Sequence, residues 1–176
     1  FTPSDIVVNL LVNNKKIEVV EHKGSTYFVA PNKDVPYVVE IKNNSGCRVS
    51  VVLSIDGLSV MTGKSARQND TAYIIEPHSS IKIKGWRRGN QEVAEFTFTS
   101  NGQSYAGHTD RPTNIGVIGV TVCPEKVVSP IYFTHAKCDA GTPRSPSLSC
   151  AQNAGTGYGE YIQDVVTSVK FDRDLS

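Results

Sequence analysis

The chain has 176 residues, with 18 Lys and Arg against 17 Asp and Glu and a formal net charge of +1. That length suits one domain hiding roughly 70% of its extended surface, so a core can form without covalent help. The mixed, nearly neutral charge argues against nucleic acid and against a polybasic membrane anchor, and no apolar run approaches the ~20 residues that span a bilayer.

Residues 5–13 (DIVVNLLVN) form an apolar, strand-like run bounded by Pro3 and the turn-forming Asn13-Asn14. Residues 15–21 and 25–30 read as a hairpin turning at Lys23-Gly24. Over 35–42, Tyr37, Val39 and Ile41 face one way, Glu40 and Lys42 the other. After a turn at 43–46, Val49, Val51, Leu53 and Ile55 share a face opposite Ser50, Val52 and Ser54, the pattern of an antiparallel strand with one buried side. Gly57 and Gly63 punctuate the next connection, and 72–75 is a short strand ended by Pro77. Ile81 and Ile83 alternate with Lys82 and Lys84 before Gly85-Trp86, and Ala94, Phe96 and Phe98 alternate with Val93, Glu95 and Thr97. A loop over 100–114 leads to 116–123 (GVIGVTVC), a central strand covered on both faces, whose glycines mark close approach or a bulge.

The tail changes character. Residues 136–159 hold Gly, Pro, Ser and Ala with almost no apolar side chains and read as a long loop. Residues 161–171 (YIQDVVTSVKF) return as a strand with Val165, Val169 and Phe171 on one side. No segment keeps helical spacing and no internal repeat is visible. About ten short strands separated by turns predict a single all-β domain, an antiparallel β-sandwich or jelly roll. Its parts are an N-terminal strand segment (1–14), a core (15–135), a Gly/Pro/Ser-rich loop (136–160) and a C-terminal strand (161–176).

Four cysteines, Cys47, Cys123, Cys138 and Cys150, include no CxxC pair, whereas zinc normally takes two ligands within a few residues. Two disulfides are expected, and with them an oxidising compartment. Cys138 and Cys150 flank the Gly/Pro/Ser-rich loop, so that local bridge would pin it and leave Cys47 with Cys123. Closing a loop of that length contributes about 3 kcal/mol on the chain-entropy model. Four buried free thiols are the alternative. N-glycosylation sequons at Asn43 and Asn69 agree with secretion, and Phe1 reads as a processed or trimmed start.

A longer pattern joins these segments. It runs from Asp56-Gly57-Leu58 with Val60, Gly63 and Ala66 to Tyr73 and Pro77, then Gly85-Trp86-Arg87 and Val93-Ala94 with Phe96 and Phe98. Ser104-Tyr105-Ala106, then Thr109, Pro112 and Asn114, precede Gly116 to Val120. Gly155-Thr156-Gly157, Gly159-Glu160 and finally Val169, Phe171 and Arg173 complete it. Over about two thirds of its length the chain thereby resembles a family of uncharacterised secreted or envelope proteins of bacteria. It departs at Ala72, where the family has glycine, and in the cysteine-bearing loop, which is an addition. The resemblance implies a secreted β-sandwich and carries no activity.

Catalytic chemistry finds little support. His22, His78, His108 and His135 show no HxH or HxxxH spacing, although folding could bring His108 near Asp110. No GxSxG nucleophile elbow occurs, and GTGYGE (155–160) lacks the Lys-Ser/Thr end and the strand-to-helix setting of a phosphate loop. Asp56 and Asn114 sit beside glycines, where they are expected to bond their own turns. Asp56, Asp70 and Asp110 lack calcium-loop spacing. No catalytic, cofactor-binding or metal residue is therefore assigned, and the protein is not expected to be an enzyme; a hydrolase is the least favoured reading.

Trp86, with Arg87 and Arg88, is the best recognition candidate, and Tyr105 joins it as a ligand contact; the plainer reading has Trp86 capping the core. The N-terminal run can pair in its own sheet or add to a neighbour's, with Val7, Leu10 and Val12 as insertion residues. These features predict an extracellular or cell-surface structural protein that self-associates, as a filament or appendage subunit built by strand addition. The alternative is a secreted carbohydrate- or protein-binding module. Expected partners are the chain itself and a glycan, with no cofactor.

Overall fold

The period-2 runs become strands, and the residue pairs at their ends become tight turns. The structure, a computed structural model, describes residues 1–30, 34–100, 116–126, 148–150 and 154–175. A 3-10 turn at Pro3–Asp5 leads into β1 (Ile6–Val12), which turns at Asn13-Asn14 into β2 (Lys15–Lys16). Both asparagines have positive φ, 52° and 61°, as a type I′ hairpin requires. The chain then crosses to a second sheet, where β3 (Val19–His22) and β4 (Ser25–Phe28) form a hairpin on Lys23-Gly24. The run at 15–21, expected as one hairpin arm, is thus divided between two sheets. Strand β5 (Pro36–Asn43) returns to the first sheet and β6 (Val49–Ile55) to the second, followed there by β7 (Leu58–Ser59) and β8 (Tyr73–Ile75). Next come β9 (Ser79–Ile83), β10 (Gly85–Arg87) and β11 (Glu92–Ser100) in the first sheet. β12 (Val117–Pro124) and β13 (Leu148–Cys150) lie in the second, and β14 (Ala154–Gln163) closes the first.

The first sheet runs β14, β11, β5, β1, β2, with β9 and β10 wedged between β5 and β11. β5 and β11 meet directly only at Tyr37↔Phe96 and Pro36↔Thr97. The second runs β3, β4, β13, β12, β6, β7, with β8 also on β6. Among the described residues every strand pairing is antiparallel except β13 on β4. The two sheets share one apolar core: Tyr37, Val39, Ile41 and Phe96 from the first pack with Val49, Val51, Leu53 and Ile55 from the second. Tyr37 stacks on Phe98 at 4.3 Å, and Trp86 meets Phe96 edge-on at 5.5 Å. The architecture is all-β, and among the described residues no helix is long and apolar enough to cross a membrane.

Two expectations change. Residues 154–160, read from their glycines as the end of a loop, are strand, while 164–172 lie outside regular structure. The glycines are what permit the pairing: a Cβ on Gly157 would lie 2.7 Å from Thr99, and one on Gly159 would lie 2.9 Å from Glu95. The proposed Cys47–Cys123 bridge is also absent, both being free thiols. Cys123 stands opposite Ser50 in the β12–β6 register, on the face away from the core, whereas Cys47 packs against the core three positions before Ser50. Cys138 lies outside the described residues, so the disulfide-pinned loop does too.

Gly85 has little room in the first sheet: a Cβ there would lie 2.0 Å from the Ala94 carbonyl oxygen. Gly85→Ala should destabilise the fold by about 3 kcal/mol, the upper end for overpacking, read as a lower urea midpoint. Gly46→Ala, where a Cβ meets nothing within 4 Å, should stay within about 0.5 kcal/mol of the parent. Equal midpoints for the two variants would refute the close β10–β11 approach.

Candidate functional site

The strongest polar arrangement begins at the β6–β7 turn. Asp56-Gly57 has φ of 54° and 79°, a two-residue turn closed by the Ile55↔Leu58 pair. The Asp56 residue is 2% exposed, and its carboxylate accepts the Gly116 N–H at 2.7 Å and the Thr156 N–H at 2.8 Å. Gly116 leads into β12 of the second sheet and Thr156 belongs to β14 of the first, so one carboxylate ties the two layers. Asp56 was expected to bond its own turn; its partners lie 60 and 100 residues away. Burial pushes its pKa up, and the two backbone donors oppose that rise. With both oxygens engaged and no solvent access, Asp56 is a structural group.

Trp86 and Arg87, candidates for ligand contact, are both spent on the fold, Trp86 in line with its plainer reading as part of the core. Trp86 is 1% exposed and donates its indole N–H to the Gly157 carbonyl at 3.2 Å. Strand alternation carries Arg87 to the opposite side of β10, where the chain after β14 covers it. Its guanidinium pairs with Asp164 and donates to the Tyr73 hydroxyl at 3.2 and 3.1 Å. Burial raises the Tyr73 pKa, against the pull of Arg87. Tyr105, His108 and Asp110 lie outside the described residues.

The segment after β14 is strapped down near its start and near its end. Asp164 and Val166 donate backbone N–H groups to the Gln91 and Asn90 carbonyls, at 2.7 and 2.8 Å. Further on, Lys126 N–H donates to Asp172 O at 2.7 Å, and Arg173 reaches the Asp70 carbonyl and the Ser50 hydroxyl. Arg48 lies over the Phe171 ring at 5.5 Å and pairs with Glu125, whose pKa its hydrogen bond pulls down.

Asn43 is not a glycan acceptor in this fold. It is fully buried, its amide nitrogen donating to the carbonyls of Cys47, Ile75 and Glu76 while its oxygen accepts from Ser45. Asn69, the other sequon, is exposed. In β1, Leu10 is 1% exposed and Val12 packs on the core, so neither is free to enter a neighbour's groove. Val7, at 38% exposure, faces outward.

Among the described residues there is also an open groove of about 600 Å³ lined by Arg88, Asn90, Gln91, Glu92, Tyr161, Ile162 and Gln163. The Arg88 guanidinium lies 5.1 Å from the centre of the Tyr161 ring. Of the Trp-Arg-Arg run, Arg88 alone is exposed to a ligand. Tyr161 carried no sequence signal, because its aromatic side chain fits a strand on either face. Compared with known proteins, the chain matches no family model, no curated protein and no solved structure.

Asp56→Asn should cost about 1–3 kcal/mol, because the amide turns an N–H toward a backbone donor. A folded pKa above the unfolded one means that ionisation opposes folding: the contribution of Asp56 is full below the usual carboxylate range and is lost as pH rises through its folded pKa. The advantage of the parent over Asp56→Asn in urea melts should therefore be larger at pH 4 than at pH 7. A difference that grows toward neutral pH would contradict this.

Proposed function

We propose that the protein is an extracellular structural β-sandwich subunit that self-associates by adding strands at its open sheet edges. One observation carries this reading: the outer edge of β1. Its partner β2 covers only Leu11 and Val12, so among the described residues no second strand flanks Ile6 to Asn9. An open edge is a template for another chain, and native sheets guard it with lysine, proline, inward charges or a bulge. β1 reads IVVNLLV and carries none of these, with Val7 turned to solvent.

The mode differs from simple strand donation. β1 is held by six register pairs to β5 and by Leu10 in the core, so removing it would open the first sheet. Edge pairing leaves it in place and uses its unfilled side. A second open edge lies on the other sheet: among the described residues β3 pairs only with β4, and Val19 and Val20 are 48% and 42% exposed. Pairing β1 of one copy with β3 of the next is a head-to-tail contact, which propagates as a filament unless the rotation closes a ring. Placement outside the cell is supported by the resemblance and by the exposed sequon at Asn69.

Light scattering and negative-stain electron microscopy of the full chain should show regular assemblies. Val7→Lys, which sets a charge on the edge, should weaken association at least tenfold with the circular dichroism spectrum unchanged. A monodisperse monomer at the highest soluble concentration would overturn the reading, as would assemblies indifferent to Val7→Lys.

A further inference from the structure

The groove between the β10–β11 turn and the end of β14 is independent of the β1 edge, and its chemistry is specific. Three of its side chains, Asn90, Gln91 and Gln163, are amides, each offering a donor pair and an acceptor in one plane. Beside them stands Tyr161, 56% exposed, while Tyr37, Trp86 and Phe96 are buried in the core. We propose that this groove binds a neutral saccharide, with the Tyr161 ring as stacking platform and the three amides as partners for its hydroxyl groups.

A pyranose presents vicinal hydroxyls around its rim and an apolar C–H face, so it needs planar donor–acceptor groups beside an exposed ring. An exposed phenol gives apolar area at the ring and a polar tip at the hydroxyl. The backbone that carries these side chains is held in place, which limits the ordering cost of binding. The ladder pairs Ala94↔Tyr161, Val93↔Ile162 and Glu92↔Gln163 fix the far wall. On the near wall, the Asn90 and Gln91 carbonyls are held by the N–H groups of Val166 and Asp164. Arg88, 5.1 Å from the Tyr161 ring centre, steadies one face of the platform.

Charge narrows the ligand. The groove holds one cation, Arg88, and one carboxylate, Glu92, so it offers no net charge to select an acidic glycan. The same count speaks for binding rather than cleavage. Glycoside hydrolysis ordinarily takes two carboxyl groups across the scissile bond, and Glu92 is the only one in the lining. Asp164, the next residue after Gln163, has its carboxylate committed to Arg87.

The test is isothermal titration of the full chain with soluble oligosaccharides of cellulose, xylan, mannan and chitin, and with oligogalacturonate as the acidic comparison. One neutral class should bind with Kd on the order of 10⁻⁴ M. Tyr161→Ala should weaken it at least tenfold and Gln163→Ala about threefold, both with unchanged circular dichroism, because both side chains are exposed. Binding by none of the four neutral classes would overturn the proposal. Binding that survives Tyr161→Ala, or binding to oligogalacturonate alone, would overturn it too.

Discussion

The two layers are coupled by a buried carboxylate. A desolvated carboxylate is costly unless it is hydrogen-bonded, and Asp56 meets that condition with two backbone donors from different sheets. The arrangement is demanding in three places at once. The turn must hold Asp56 at positive φ, Gly116 must begin β12 at the right height, and Thr156 must present its N–H from β14. The Thr156 hydroxyl is bonded to Tyr37, so the same residue also fixes the largest stacked cluster of the core. Apolar burial is non-directional and would tolerate a sliding of one sheet on the other. These polar contacts between the sheets do not, and they set the relative position of the layers.

Arg87 does a similar task on the outer side of β10. Its guanidinium joins Tyr73 of the second sheet to Asp164 beyond the end of the first. With a side chain 5% exposed, it gains from charge-assisted bonds in a setting that water screens poorly. Removing either partner would leave the other charge poorly solvated, so the pair behaves as a unit. A surface arginine free to meet a ligand cannot also close this joint. That is why a Trp-Arg dipeptide which looks like a recognition motif belongs to the fold, and the next residue, Arg88, faces the solvent.

Local pattern and long-range partnership were unequally legible in the chain. The alternations over Tyr37, Val39 and Ile41 and over Val49, Val51, Leu53 and Ile55 were readable, because each reflects one strand burying one face. The turns at Asn13-Asn14 and Lys23-Gly24 were readable because positive φ selects few residue types. Gly157 and Gly159 misled for the opposite reason: they lack side chains because β11 comes too close, and a residue omitted for space carries no period. Asp56 misled differently, since a carboxylate beside a glycine fits a local turn, and partners 60 and 100 residues away leave no local trace. Cysteine count likewise carries no position: Cys123 stands opposite Ser50 in the β12–β6 register, while Cys47 lies before β6 and packs against the core.

What remains for function is whatever the fold has not consumed, and here β14 links the inside to the outside. Its first half is clamped by Asp56 at Thr156 and by Trp86 at the Gly157 carbonyl, and it ladders on β11 as far as Gln163. A register shift between Ala94 and Phe96 then re-aims the strand, so that Tyr158 lies parallel to Trp86 while Tyr161 turns to the solvent under Arg88. Bulges commonly re-aim a side chain in this way beside functional surfaces. The exposed ring therefore stands on the same strand that meets the buried carboxylate at Thr156. The β1 edge lies at the other side of the same sheet, beyond β11 and β5. The groove and the open part of the β1 edge accordingly occupy separate sides of one layer.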